Sequence, residues 1–107
     1  MKSDIKERIR SFIKARDWDQ FHSPANLAKS IVIEAAELLE NFQWDNDYEL
    51  GKVAEELADV LIYSYQLADV LGCDIETIMN DKLDKNALKY PIEKAKGSSM
   101  KYTEFDA

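Results

Sequence analysis

The feature that most constrains this chain is its long runs of residues without helix-breaking glycine or proline. Three glycines and two prolines are spread over 107 residues, and between them apolar residues recur every three or four positions. That spacing places apolar side chains on one face of an α-helix. The pattern predicts an all-α fold of four helices with short connections, which is typical of an antiparallel four-helix bundle.

Capping and stop residues predict where these helices begin and end. Ser3-Asp4 can cap the first helix. Ser23 offers a hydroxyl N-cap directly before Pro24, and Asp74 can cap the last helix. Gly72 and Pro91 are natural stops. The four predicted helices cover about residues 4–17, 24 to 42 or 44, 47–71 and 75–90. The buried stripe predicted for the first helix consists of Ile5, Ile9, Phe12 and Ile13. We expect one domain, residues 1–96, followed by a tail, residues 97–107.

The third predicted helix is apolar on most of its faces. A helix of this kind is buried on most of its sides, yet a chain of 107 residues can build only a thin core. We therefore expect a second chain to complete the bundle by oligomerisation. The stripe and the apolar residues on other sides of this helix are Val53, Leu57, Val60, Ser64, Leu67, Leu71, Leu61, Ile62, Tyr63, Tyr65, Ala68 and Val70.

The second predicted helix carries a glutamate in the middle of its buried stripe. Leu27, Ile31 and Leu38 define that stripe, and Glu34 stands where the next apolar residue is expected. Glu37 follows three residues later, so both carboxylates project to one side of the helix. A carboxylate buried on an apolar face is costly unless it is paired or bound to a metal.

The third predicted helix repeats this arrangement. Glu56 lies between Val53 and Val60 at the margin of the apolar stripe. Asp59 follows three residues later, with Tyr63 on the same side. Two neighbouring antiparallel helices can bring the four carboxylates together, where their mutual repulsion raises their pKa values. Because Mg²⁺ or Mn²⁺ would cancel that repulsion, we expect a divalent-cation site.

The fourth predicted helix has two polar residues on its inward face. Ile75, Met79 and Tyr90 lie on that face, and Lys82 and Asn86 interrupt it. A lysine beside an acidic metal cluster suits the outer phosphates of a triphosphate, and an asparagine suits a phosphate or sugar oxygen. A phosphate-bearing small ligand is therefore favoured.

Four further residues allow two interpretations each. His22, the only histidine, is either a connector residue or part of a pocket. Trp18, Trp44 and Tyr63 are either core aromatics or stacking surfaces for a base. The acidic pairs also allow a second class of function, a non-catalytic helical dimerisation module that docks a basic partner. That module leaves the inward Lys82 unexplained. A ferritin-like di-iron bundle is excluded, because it needs Glu-x-x-His pairs.

Charge and composition bound the partners and the compartment. The net charge of −7 and the pI near 4.7 argue against nucleic-acid binding through a broad basic face. No apolar run approaches the roughly 20 residues of a membrane span, and we see no signal peptide. A single cysteine, Cys73, suits a reducing compartment. We expect a cytoplasmic protein without a membrane or nucleic-acid partner.

Several segments of the chain resemble those of a known family. The segments IEAAEL (33–38) and EELADVL (55–61) are similar to the ExxE…ExxD motif of the MazG-like, all-α NTP pyrophosphatase superfamily. The likeness is greatest to its dCTP pyrophosphatase branch and covers nearly the whole chain in the expected order. The other similar segments are RDW (16–18), FHSP (21–24), NL (26–27), FQW (42–44), Lys82 with Asn86 and KYP (89–91), and IEKAKG (92–97).

The resemblance implies a function and a role for each candidate residue. It implies Mg²⁺-dependent hydrolysis of a nucleoside triphosphate, with dCTP or a modified dCTP expected, to the monophosphate and pyrophosphate. It also implies a homodimer or homotetramer, of which we favour the tetramer. The expected metal ligands are Glu34, Glu37, Glu56 and Asp59, of which Glu34 and Glu37 are also expected to be catalytic, with Glu37 as the base. The expected substrate-binding residues are Lys82, Asn86 and Tyr90 for the phosphates and His22, Trp18, Trp44 and Tyr63 for base and sugar.

Overall fold

The computed structural model describes residues 4–44, 47–99 and 103. Every secondary-structure element among these residues is a helix. The predicted all-α class is therefore confirmed. The elements are α1 (Ile5–Ala15), a 3₁₀ turn (Asp19–Phe21), α2 (Pro24–Glu40), α3 (Leu50–Val70), α4 (Ile75–Lys89) and α5 (Ile92–Ala95). The chain divides into two compact units between Cys73 and Asp74, and each is described by itself below.

In the first unit, α3 is the helix on which the other two pack. The main contact is between α2 and α3, and α1 contacts α3 over a shorter stretch. Ile9 and Ile13 of α1 are buried, as predicted from their spacing, and Leu27 of α2 is fully buried. Ala68 of α3 is buried as well. The core of this unit is thin, as the length of the chain predicts.

Side-chain caps begin three of the helices where the sequence predicts them. The Asp4 carboxylate accepts a hydrogen bond from the Lys6 amide at 2.9 Å, and the Ser23 hydroxyl accepts one from the Asn26 amide at 3.1 Å. The Asp74 carboxylate caps α4 in the same way. Each cap satisfies an amide that would otherwise have no partner in the first turn.

Other helix boundaries differ from the prediction for local reasons. α1 ends at Ala15 instead of Asp17, because Asp17 adopts a left-handed backbone with φ of 54°. α2 ends at Glu40, short of Phe42 or Trp44. There the Asn41 side chain donates to the carbonyls of Glu37 and Leu38, at 3.2 and 3.3 Å, and takes the place of backbone donors that a longer helix would supply. α3 begins at Leu50, with Glu49 at its N-cap position, three residues after the predicted start at about residue 47.

Large apolar side chains of the first unit lie exposed on α2 and α3. Val32 and Leu39 of α2 are 68% and 65% exposed. Leu57 and Leu61 of α3 and Leu71 at its C-cap, which the helical pattern places on buried faces, are 45%, 50% and 57% exposed. A single chain therefore leaves much of this surface uncovered. The expectation that a second chain covers it remains a prediction.

The second unit contains α4 and the single turn α5, which the sequence pattern did not predict. Pro91 precedes α5 with φ of −61°, so the proline that ends α4 also begins the next turn. Ile75 is the buried apolar residue of α4. Of the predicted tail, residues 97–99 and 103 are described, and the others lie outside the described residues. No described helix combines the length and the apolar character needed to cross a membrane.

A two-pronged ion pair joins α1 to the end of α3. Nε and Nη2 of Arg10 donate to the two carboxylate oxygens of Asp69, at 3.0 and 2.5 Å. The hydrogen bond from Arg10 lowers the pKa of Asp69 below its ordinary value of 3.8. A lowered pKa stabilises the folded state above the ordinary value, and this contribution is lost as the pH falls below it.

Asp69→Asn is therefore expected to lower the melting temperature at pH 7 by about 2 °C, because both side chains of the pair are substantially exposed. The difference from the wild type should narrow as the pH falls below 3.8. Circular dichroism melts of Arg10→Ala, Asp69→Asn and the double variant measure the coupling of the pair. If the loss of melting temperature in the double variant equals the sum of the losses in the two single variants, the side chains of Arg10 and Asp69 are not coupled.

Candidate active site

The packing of α2 against α3 brings together carboxylates from both helices. Glu34 of α2 lies beside Glu56 and Asp59 of α3, and one oxygen from each lies within 4.8 Å of the others. Glu34 and Glu56 are half-buried and Asp59 is exposed, so the group opens to solvent on one side. Three of the four predicted metal ligands therefore converge, as the two acidic i,i+3 pairs predicted.

The fourth carboxylate, Glu37, lies outside that group of three but acts on it electrostatically. The pKa of Glu34 is raised to about 7. The largest cause is the side-chain interaction with Glu37, followed by burial and then by the charges of Glu37 and Asp59. The pKa of Glu56 is also raised, first by burial and then by the charge of Glu37. The charges of Glu37 and Asp59 therefore help to destabilise the charged forms of Glu34 and Glu56.

Two oxygens of the cluster are buried without a hydrogen-bond partner. They are Oε2 of Glu34 and Oε2 of Glu56, and no donor among the described residues reaches either. Buried acceptors are costly when they have no partner. A divalent cation is a partner that would satisfy both oxygens and offset the repulsion, and carboxylate oxygens are the ligands that Mg²⁺ takes. The residues present thus fit such an ion.

A cavity of about 420 Å³ lies beside this cluster in the first unit. Asp59 belongs both to the cluster and to the wall of the cavity, so the two are continuous. Trp18, His22 and Tyr63 all line it, and the half-buried His22 is thus a pocket residue and not merely a residue of the connector. The remaining lining residues are Ile5, Arg8, Ile9, Phe12, Ile13, Ile62 and Gln66.

Aromatic contacts position Trp18 at this wall. The ring of Phe12 meets Trp18 edge to face with 5.7 Å between ring centroids. The guanidinium of Arg16 lies 3.7 Å from the centroid of the Phe12 ring, a cation–π contact. Phe12, which the spacing placed on the buried stripe of α1, is 49% exposed because it faces the cavity. These contacts hold an aromatic wall next to the carboxylates.

The other predicted substrate-binding residues are Trp44, in the first unit, and three residues of the second unit. Trp44 follows the end of α2, is 87% exposed and does not line the cavity. Lys82 and Asn86 lie on α4 and Tyr90 directly follows it, all in the second unit. Lys82 is exposed and Asn86 is half-buried. Their contribution to the site remains a prediction.

Two lining residues were not singled out from the sequence. Gln66 lies seven residues after Asp59 on α3, and Arg8 lies one turn before Phe12 on α1. The spacing of Asp59, Tyr63 and Gln66 at i, i+4 and i+7 places them on one face of the helix. That spacing is the sequence signal for Gln66, but a neutral glutamine interrupts an apolar face less clearly than a charged carboxylate does.

Fold and site together define a class: an all-α protein in which two packed helices hold a carboxylate cluster beside an aromatic-lined cavity. Residues 29–105 match the model of the MazG-like family. The chain belongs to the MazG-like family, and the resemblance noted in the sequence is confirmed.

Curated relatives and a solved structure agree with this family assignment. The chain is 40% identical to dCTP pyrophosphatase 1 of Rattus norvegicus and 41% identical to that of Homo sapiens, in each case over 111 aligned residues that cover 94% of this chain and 65% of the relative. The chain thus spans about two thirds of the length of these curated relatives. A solved pyrophosphatase from Archaeoglobus fulgidus is 39% identical with a TM-score of 0.75, covering 85% of this chain and 96% of that one.

Proposed function

We propose that this protein is a Mg²⁺-dependent nucleoside triphosphate pyrophosphohydrolase, which converts a nucleoside triphosphate to the monophosphate and pyrophosphate. The observation that carries the proposal is the group formed by Glu34, Glu56 and Asp59 at the edge of an aromatic-lined cavity. The cavity suits a nucleoside, and the carboxylates beside it suit the cations that accompany a triphosphate. The pyrophosphatase names of the relatives support the same chemistry.

The carboxylates have two tasks in this proposal. Glu34, Glu56 and Asp59, together with Glu37, would hold Mg²⁺, with Mn²⁺ as a substitute. When bound there, the cation supplies positive charge to the phosphate oxygens and lowers the pKa of a coordinated water. Glu37 lies at the margin of the cluster, and its carboxylate takes the proton from the water that attacks the α-phosphate. This step breaks the bond to the leaving pyrophosphate without a covalent intermediate on the protein.

Neutral and basic groups bind the rest of the substrate. Lys82, Asn86 and Tyr90 contact the phosphates, where the lysine charge stabilises the leaving pyrophosphate. Trp18, His22, Trp44 and Tyr63 bind base and sugar, and the position of three of them at the cavity wall supports this role. The favoured substrate is dCTP or a modified dCTP, and the support for that choice is the name of the relatives.

The expected product of dCTP hydrolysis is dCMP with pyrophosphate. Incubating the full chain with Mg²⁺ and a panel of common and modified triphosphates, and separating the products by anion-exchange chromatography, measures both the substrate range and the bond cleaved. The same mixture with EDTA is the control, because removal of the cation should stop turnover. Release of dCDP and phosphate, or no turnover of any triphosphate, would contradict the proposal.

We also propose that the chain works as a homo-oligomer in the cytoplasm, a tetramer in preference to a dimer. The exposed apolar residues on α2 and α3 support assembly, since monomers rarely leave such a surface uncovered. The same surface favours the alternative function, a non-catalytic acidic dimerisation module. That alternative leaves the two buried, unpartnered carboxylate oxygens unexplained. Calorimetric titration with Mg²⁺ separates the two functions, because the module alone should show no binding.

A further inference from the structure

The connector between α1 and α2 carries two of the residues that line the cavity, Trp18 and His22. The backbone of His22 has φ of −100° and ψ of 65°, values that belong neither to a helix nor to a strand. Its amide donates to the Asp19 carbonyl at 3.1 Å, which closes the 3₁₀ turn, and α2 begins two residues later. A residue between two elements keeps a fixed position only when further bonds hold the chain around it.

Asn26, in the first turn of α2, bonds to the residues on both sides of His22. Its side-chain Nδ2 donates to the Phe21 carbonyl at 3.1 Å, and its backbone amide donates to the Ser23 hydroxyl at 3.1 Å. The orientation of the side-chain amide is fixed, because a carbonyl can only accept and the group that faces it must be the nitrogen. We name these two bonds the Asn26 clamp. The clamp ties the chain to α2 directly before and directly after His22.

We propose that Asn26 is a positioning residue for nucleotide binding, which holds His22 at the cavity wall and acts through it. The inference rests on the proposed function, in which His22 binds base and sugar. Asn26 is exposed and does not line the cavity, so neither core packing nor contact with the nucleotide explains its side-chain bond. Ordering a loose side chain during binding costs affinity, and a connector that is fixed beforehand avoids that loss.

Asn26→Ala removes the side-chain bond of the clamp and keeps the backbone amide that caps on Ser23. It is expected to raise KM for the best triphosphate substrate, expected to be dCTP, by about 2- to 10-fold. The value of kcat should change by less than about twofold, because the carboxylates of α2 and α3 keep their places. Ser64→Ala is the matched control, since it removes a side-chain bond to a backbone carbonyl, that of Val60 at 2.7 Å, within α3. It should keep the wild-type KM.

A double-mutant cycle with His22→Ala shows whether Asn26 acts through His22. Asn26→Ala should raise KM by less than about twofold when it is added to His22→Ala, because no imidazole is left to position. A residue that merely stabilises the fold would raise KM by the same factor in both backgrounds. That result, or a fall in kcat without a change in KM, would overturn the inference.

A readout without catalysis separates this inference from the proposed function. His22 is the only histidine of the chain, so its ring gives a single imidazole signal in a proton–carbon correlation spectrum of the untagged protein. Asn26→Ala should shift or broaden that signal in the free protein, and Ser64→Ala should not. If the wild type cleaves a triphosphate but Asn26→Ala keeps the wild-type KM, the inference fails alone. If the wild type cleaves none, the proposed function fails, and an unchanged imidazole signal in Asn26→Ala would overturn the positioning role as well.

Discussion

Replacing Glu34 with glutamine is expected to reduce pyrophosphate release by more than about a hundredfold, because even the outer partners of metal ligands cost 10- to 100-fold when they are removed. The same substitution should raise the melting temperature of the metal-free protein at pH 8. There, the wild-type side chain must carry a charge against the neighbouring carboxyl of Glu37 and against burial, both of which raise its pKa to about 7. Glutamine keeps the shape and removes that charge.

The sign of this effect follows from linkage. The pKa of Glu34 is raised from 4.5 to about 7 in the folded, metal-free protein. Between these values the folded state binds more protons than the unfolded state, so the free energy of unfolding falls as the pH rises through that range. Glu56, whose pKa is also raised, acts in the same direction. Glu34→Gln should flatten this dependence.

Pyrophosphate assays and thermal melts from pH 4.5 to 8 measure both effects. Glu40→Gln on α2 and Glu55→Gln on α3 are matched controls, because both residues are exposed and point away from the cluster. They should keep near-wild-type turnover and an unchanged pH dependence of stability. Near-wild-type turnover in Glu34→Gln with Mg²⁺ would remove the basis of the metal assignment.

Mg²⁺ is expected to raise the melting temperature of the wild type by on the order of 10 °C when its concentration is 100 times its dissociation constant. The reason is that the cation binds the folded cluster and not the dispersed carboxylates of the unfolded chain. The rise should be larger at pH 8 than at pH 6, since the proton on Glu34, with a pKa of about 7, competes with the cation. Differential scanning fluorimetry at constant ionic strength measures it.

The control for this experiment is loss of a ligand. Asp59→Asn should abolish most of the rise, because Asp59 contributes one of the three converging oxygens. Glu55→Gln should leave the rise intact. An equal response in Asp59→Asn and the wild type would mean that Mg²⁺ binds elsewhere or stabilises the protein only through general screening.

Much of the fold follows from local rules that can be applied to the sequence. The caps at Asp4, Ser23 and Asp74 depend on hydrogen bonds spanning two or three residues, and all three were predicted. The ends of α1 and α2 were predicted too far along the chain. The left-handed backbone of Asp17 and the side-chain bonds of Asn41 ended these helices, and periodicity alone does not show either effect.

Some residues of the candidate site could also be predicted from the sequence, and others could not. Glu34, Glu56 and Asp59 were predicted because charges that interrupt an apolar stripe are conspicuous in a helical pattern. Gln66 was missed because a neutral side chain at the margin of the same stripe gives no such contrast. The roles proposed for Lys82 and Asn86 depend on tertiary packing, which spacing along α4 does not determine.

In the proposed homo-oligomer, the thin core of the first unit would make the chain's own concentration a variable of its folding. A folded state that gains stability only when copies associate obeys mass action, so diluting the protein weakens it, as withdrawing a ligand would. Leu39 and Leu61, which expose half or more of their surface in a single chain, would then be as essential to stability as the buried Leu27. For such a protein, a low expression level and a destabilising mutation have the same consequence, because each lowers the fraction of chains that are folded.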